Sequence, residues 1–187
     1  MRLLRNVFST LALIGICTSA QALPITLNFD QDLNGNTLVE GQLLNNVYGG
    51  LGLSFNSTAA IRQTGGGIPS APNFATGSAS DFLTDLVLTF DTFATSVGAS
   101  NVSHSSWLLT AFDVAGSVLG TVNSSAFPDT VLLSGIGNIK TAVFSTTSQY
   151  GIDDLIFDTS KVPEPGSLAL AAIGLVGIGL FRRKKTA

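Results

Sequence analysis

Between residues 23 and 161, apolar and polar positions alternate in short runs that end in Gly, Asn, Ser or Pro. In Asp85-Leu-Val-Leu-Thr-Phe-Asp91, Leu86, Leu88 and Phe90 fall on one face of an extended chain, and Val87 and Thr89 on the other, because successive strand side chains point to opposite sides. Comparable runs occupy 25–30, 51–58, 96–102, 107–114, 117–123, 139–147 and 151–158. The residues between them are the turn formers that punctuate strands. Residues 107–123 read as a hairpin turning at Ala115-Gly116. No helix-period segment of comparable length interrupts the pattern, so the expectation is an all-β body: two antiparallel sheets packed as a β-sandwich, jelly-roll-like in topology. Residues 64–80, rich in Gly, Ser and Pro, read as a long surface loop, either functional or simply a flexible connection.

The two ends follow different rules. Arg2 and Arg5 precede an apolar stretch over 7–17, and Ala20-Gln21-Ala22 supplies the small-x-small pattern that signal peptidase requires. Residues 1–22 are therefore expected to be a signal peptide cleaved after Ala22. Cys17, the single cysteine, would leave with it, and the mature chain would have no disulfide and no thiol chemistry. At the other end Val162, Pro163, Glu164 and Pro165 lead into an uncharged run over 167–181, followed by Arg182, Arg183, Lys184 and Lys185. As a helix that run covers roughly 22 Å at about 1.5 Å per residue, short of a bilayer core of about 30 Å. Its length suits a segment that is inserted, held and then cut away. The basic flank resists translocation, which places the body outside the cytoplasmic membrane. The two prolines keep the 162–165 backbone out of helix, in an extended form that a processing enzyme can grip. The chain thus divides into 1–22, a body at 23–161, and a sorting segment at 162–187 with its membrane helix near 167–181 and its basic tail at 182–185.

Charge sharpens the picture. From 23 to 161 three cations (Arg62, Lys140 and Lys161) face ten aspartates and Glu40, a net charge of −8 that the whole-chain value of −3 conceals. Such a body repels nucleic acid, whose recognition needs clustered Lys and Arg, yet it suits divalent cations. In the closing run, Leu155 and Phe157 should point inward, and alternation puts Asp153 on their side. A carboxylate aimed at a core must be paired, protonated or metal-bound, and calcium accepts oxygen ligands in flexible geometry. Asp32-Leu-Asn-Gly-Asn36 has the flavour of a calcium loop without the spacing or closing glutamate of an EF-hand. Enzyme signatures are sparse. His104 is the single histidine, with no Gly-x-Ser-x-Gly elbow and no His-Glu-x-x-His pair; zinc lacks ligands, and a glycosidase would have to use aspartates. Trp107, Tyr48 and Tyr150 either offer stacking surfaces to sugars or pack a core.

The C-terminal arrangement, Val162-Pro-Glu-Pro165, apolar span and Arg/Lys cluster, resembles the PEP-CTERM sorting signal of Gram-negative bacteria. That resemblance implies recognition and processing by an exosortase, in organisms that make extracellular polysaccharide. The body is similar to jelly-roll β-sandwich domains found ahead of such tails, in Asn28-Phe29-Asp30, the Tyr48 to Phe55 stretch, Ser70-Ala-Pro-Asn73, Leu86 to Asp91, Ala111 to Gly116 and Gly151 to Phe157. Its Ile-Asp-Asp-Leu-x-Phe ending also resembles carbohydrate-binding jelly rolls with a structural calcium ion. The resemblance implies that Asp30 joins Asp153 around that ion, with Asp154 as a third candidate; the alternative is that these aspartates cap turns or face water. The expected protein is an exported envelope or extracellular-matrix component, non-catalytic, structural or carbohydrate-binding, with exosortase and signal peptidase as partners, extracellular polysaccharide as ligand, and membrane contact through the transient C-terminal helix. A secreted hydrolase acting on polysaccharide or ester substrates is the rival reading.

Overall fold

The computed structural model describes residues 23–64 and 69–159. The expected signal cleavage site, the sorting motif, the membrane helix and the basic tail lie outside the described residues. Among the described residues nine strands run in chain order: β1 (Ile25–Leu27), β2 (Leu53–Phe55), β3 (Ala60–Gln63), β4 (Asn73–Thr76), β5 (Leu86–Asn101), β6 (Leu108–Phe112), β7 (Val118–Asn123), β8 (Asp129–Ser145) and β9 (Ile152–Thr159), with one 3-10 turn at Gly49–Leu51. The body is all-β. Its hydrogen-bond ladder is continuous, in the order β3-β4-β9-β5-β8-β6-β7, with β1 on β9 and β2 on β5, and all its pairings are antiparallel.

Several element boundaries differ from expectation. The runs at 85–91 and 96–102 are one strand, β5, whose register shifts between Thr89 and Ala94 and again between Ala94 and Ser96. A bulge of this kind bends a strand without ending it. β8 begins at Asp129, ten residues before the apolar run that announces it, because Gly135 (φ 68) and Gly137 (φ 108) interrupt its alternation. The segment 64–80 is not a loop throughout. Asn73–Thr76 forms β4, paired with β3 along four residues and with β9 at Ala75↔Ile152. Neighbouring strands supply the order that its polar sequence does not advertise.

The hairpin is found as expected. β6 pairs β7 from Leu108↔Asn123 to Phe112↔Val118, and Asp113 closes the turn by accepting from the Ala115 and Ser117 N–H groups, both at 2.8 Å. Gly116 (φ 79) occupies the left-handed position that such a turn requires.

Inward-facing residues form one buried cluster. Phe29, Tyr48 and Phe55 meet one another at 6.1–6.2 Å between ring centroids; Phe90 meets Phe157 at 5.7 Å and Trp107 meets Phe144 edge-on at 5.1 Å. Trp107, Tyr48 and Tyr150 are each about 1% exposed, so core packing, not an open stacking surface, accounts for all three. The tyrosine hydroxyls are spent internally, Tyr48 on the Gln31 carbonyl at 3.0 Å and Tyr150 on those of Thr84 and Phe144 at 2.9 and 3.1 Å.

Gly98 of β5 lies against β8 opposite Leu132, and a methyl group there would overlap the Val131 carbonyl oxygen. Gly98→Ala should therefore cost about 1–3 kcal/mol through overpacking, a fall of roughly 2–12 °C in the thermal midpoint at about 2–4 °C per kcal/mol. Val114→Ser, on the exposed hairpin turn, serves as control and should leave the calorimetric midpoint unchanged.

Candidate functional site

β9 opens beside the ends of two other strands. Ile152 is opposite Asn101 of β5 and Ala75 of β4, and Asp153 is opposite Ser100. This register carries Asp153 out of water altogether, at 0% exposure, with the alternate residues Leu155 and Phe157 buried as well. Its carboxylate accepts three hydrogen bonds of 2.8 Å: from the Ser70 N–H to Oδ2, and from the Ser70 hydroxyl and the Asp154 N–H to Oδ1. The Ser70 hydroxyl also lies 3.0 Å from Asp154 Oδ1. A hydroxyl has one proton to give, so Ser70 cannot serve both carboxylates at once.

Asp30 approaches from the other side. It accepts from the Asn73 N–H at 3.4 Å, while the fully buried Asn73 side chain donates to the Phe29 and Leu38 carbonyls, both at 3.1 Å. The Asn73 Oδ1 is buried without a hydrogen-bond partner. Both edges of the cluster carry unusual backbone: Phe29 (φ 61) immediately before Asp30, and Asp154 itself (φ 45). Left-handed conformation is uncommon for non-glycine residues and bulky Phe tolerates it least, so it persists only where surroundings enforce it.

Asp154 is close enough to influence both of the other expected carboxylates. Burial pushes Asp153 up to about 6, against the lowering effect of its Ser70 hydrogen bonds, and the charge of Asp154 adds to the rise. Burial also raises Asp30, offset by the Asn73 N–H, with Asp154 again contributing. Among the described residues no basic side chain relieves them: Arg62 pairs with Glu40 at 3.4 Å and donates to the Ala79 carbonyl, and Lys140 donates to the carbonyls of Phe90 and Asp91. Among the described residues, no three acidic, histidine or cysteine side chains converge tightly enough by themselves to hold a metal ion. Any ion here would draw on neutral oxygens too, and Ser70 Oγ and Asn73 Oδ1 are the ones present.

Other candidates separate cleanly from this cluster. Asp32 closes its own loop, accepting from the Asn34 and Asn36 N–H groups and the Asn36 amide, and those bonds hold its carboxyl below the usual range. His104 is exposed on the loop between β5 and β6, and the cavity it borders has no carboxylate in its lining to orient an imidazole. Ser70 and Asn73 carry no local sequence signal that marks them as site residues. Eighty-three positions separate Ser70 from Asp153, and only the β3-β4-β9 pairing brings them together.

At the C-terminus, residues 161–184 match the PEP-CTERM protein-sorting motif. The motif implies an exosortase as processing partner and export to the envelope of a Gram-negative bacterium. No curated protein matches the chain.

The raised pKa of Asp153 has a definite sign. The folded state holds the proton between about 3.8 and about 6, so this group's contribution is fully present below about 3.8 and is lost as pH rises through about 6. At about 1.4 kcal/mol per unit it amounts to about 3 kcal/mol at most. In calcium-stripped protein, the stability difference between wild type and Asp153→Asn, read from urea midpoints at pH 4 to 7, should shrink as pH rises. A pH-independent difference would mean that Asp153 is ionised throughout.

Proposed function

We propose that this is an exported, exosortase-processed component of the cell envelope or extracellular matrix, whose β body is non-catalytic and serves a structural or carbohydrate-binding role associated with exopolysaccharide. One observation carries the structural part. β9, the strand that leads toward the sorting motif, is paired with three others, β1, β4 and β5, so tension arriving through the tail meets two ladders and the Ala75↔Ile152 bridge. We read the continuous sheet as closing into a two-layer, jelly-roll-like sandwich, because residues as far apart in the strand order as Ile61 of β3 and Leu109 of β6 share one buried cluster. The non-catalytic reading rests on His104, which has no carboxylate beside it in its cavity.

A structural calcium ion belongs to this reading. Asp30, Asp153 and Asp154 with Ser70 Oγ and the partnerless Asn73 Oδ1 form an all-oxygen donor set of the hard type that calcium prefers. The cation would supply the positive charge that no lysine or arginine among the described residues brings there, and it would tie the chain just beyond β1 to the start of β9.

Two measurements test the proposal. Intact mass of the exported protein should show both the signal and the Arg182 to Lys185 tail removed, and replacing Pro163-Glu-Pro165 by alanines should leave the uncut form in the inner membrane. A mature form that keeps the basic tail would make the segment a plain anchor. For the ion, hundredfold excess over Kd stabilises the folded state by about 2.7 kcal/mol, several degrees of melting temperature. Calcium should restore the midpoint lost on chelation, more than magnesium does; Asp153→Asn should abolish the response and Asp158→Asn should preserve it. A midpoint indifferent to chelator removes the ion and leaves Asp153 as a hydrogen-bonded buried acid.

A further inference from the structure

We propose that the cavity bordered by the β5–β6 and β8–β9 loops binds a neutral sugar ring. This rests on the carbohydrate-binding reading above and goes further by naming the cleft and the charge class of its ligand. The cavity holds about 360 Å³, within the range of small-molecule sites. Its apolar surface comes mainly from Phe74, Phe82 and Val102, with the buried Tyr150 beneath them. Each ring is fixed from behind. A side chain at Gly151 would overlap the Phe74 ring, so glycine there lets Phe74 lie flat against the backbone. The Arg62 guanidinium covers Phe82 at 4.8 Å from its centroid, itself held by Glu40 and the Ala79 carbonyl. Tyr150 turns its hydroxyl away to the Thr84 and Phe144 carbonyls.

The rim is polar and uncharged apart from the imidazole: Ser103, His104, Ser105, Ser148 and Gln149. Ser105 donates to the Ser148 hydroxyl at 3.0 Å, which leaves the Ser148 proton to give. Asn101, fully buried, braces the loop. Its amide nitrogen donates to the carbonyls of Ser105 and Ser125 and to the Ser124 hydroxyl, and its oxygen accepts from the N–H and hydroxyl of Ser103. A rim ordered before binding loses little entropy when a ligand arrives. Among the described residues the lining contains no carboxylate, lysine or arginine, so there a phosphate finds no lysine or arginine and a basic peptide no acid. A pyranose fits, with an apolar face for an aromatic ring and an edge of hydroxyls for small donors and acceptors.

The test titrates the purified exported protein by calorimetry with neutral gluco-, galacto- and mannotetraoses, a polyuronate and an uncharged polar peptide. A neutral tetrasaccharide should bind, and Phe82→Ala and Gln149→Ala should each weaken it tenfold or more, with melting curves reporting that both variants fold. The Gln149 side chain is exposed and serves as the second variant if Phe82→Ala unfolds. Saccharide binding that survives both substitutions overturns this cavity and leaves the carbohydrate-binding role standing elsewhere on the body. Preference for the polyuronate or the peptide overturns the neutral-sugar assignment. Absence of any saccharide binding to folded protein overturns both the cavity and the carbohydrate-binding role, while processing of the tail is still read independently by mass.

Discussion

The long antiparallel pairing of β5 with β8 is the constraint on which every other element depends. It runs in two stretches, Leu86↔Phe144 to Thr89↔Thr141 and Ser96↔Ser134 to Asn101↔Asp129, with irregular register between them. The interruption lets one edge of β5 serve two partners in succession: β2 along Leu88 to Phe90, then β9 along Ala94 to Asn101. Because β9 is placed by β5, and β1 and β4 are placed by β9, the first strand, the fourth and the last converge without being near in sequence. Glycine at position 98 permits the close backbone approach that the second stretch requires.

One consequence is that both candidate sites gather at a single end of β9. Gly151 and Tyr150 border the cavity, whereas Asp153 and Asp154 form the acidic cluster two residues on. β4 repeats the division, with Phe74 in the cavity lining and Asn73 beneath Asp30. On β4 the division follows from strand alternation, which sends the adjacent side chains of Asn73 and Phe74 to opposite faces; on β9 the left-handed backbone at Asp154 (φ 45) keeps its carboxylate beside that of Asp153. A change at the start of β9 therefore acts on both places at once.

The electrostatics of the cluster follow from scarcity of positive charge. Arg62 and Lys140, the cations among the described residues, are engaged elsewhere, so within those residues the carboxylates at this end are neutralised by protons, N–H dipoles or an added cation. Buried carboxylates without opposite charge titrate upward, as Asp153 and Asp30 do. The left-handed backbone at Phe29 and Asp154 is strain held in place by the surrounding ladder, which marks this end of the sheet as the part of the body under constraint.

How much of this was legible in the chain depended on whether the signal was local. Alternation in Leu86 to Phe90 and the Gly116 turn were readable because strand faces and turn chemistry are short-range properties, and so was the C-terminal motif, which is recognised as a linear pattern. The burial of Asp153 followed from counting along Leu155 and Phe157. β4 escaped notice because Asn73–Thr76 has little hydrophobic pattern of its own and is a strand only between β3 and β9. The start of β8 was hidden by its glycines. The sequence by itself determined an all-β body, its acidic surplus and its sorting signal, since these depend on composition and neighbours along the chain. Tertiary structure alone decided that Ser70 would have to share one proton between Asp153 and Asp154, that Trp107 and both tyrosines would lie inside, and that Asn101 would brace a cavity rim, because each depends on contacts between residues that only strand pairing brings together.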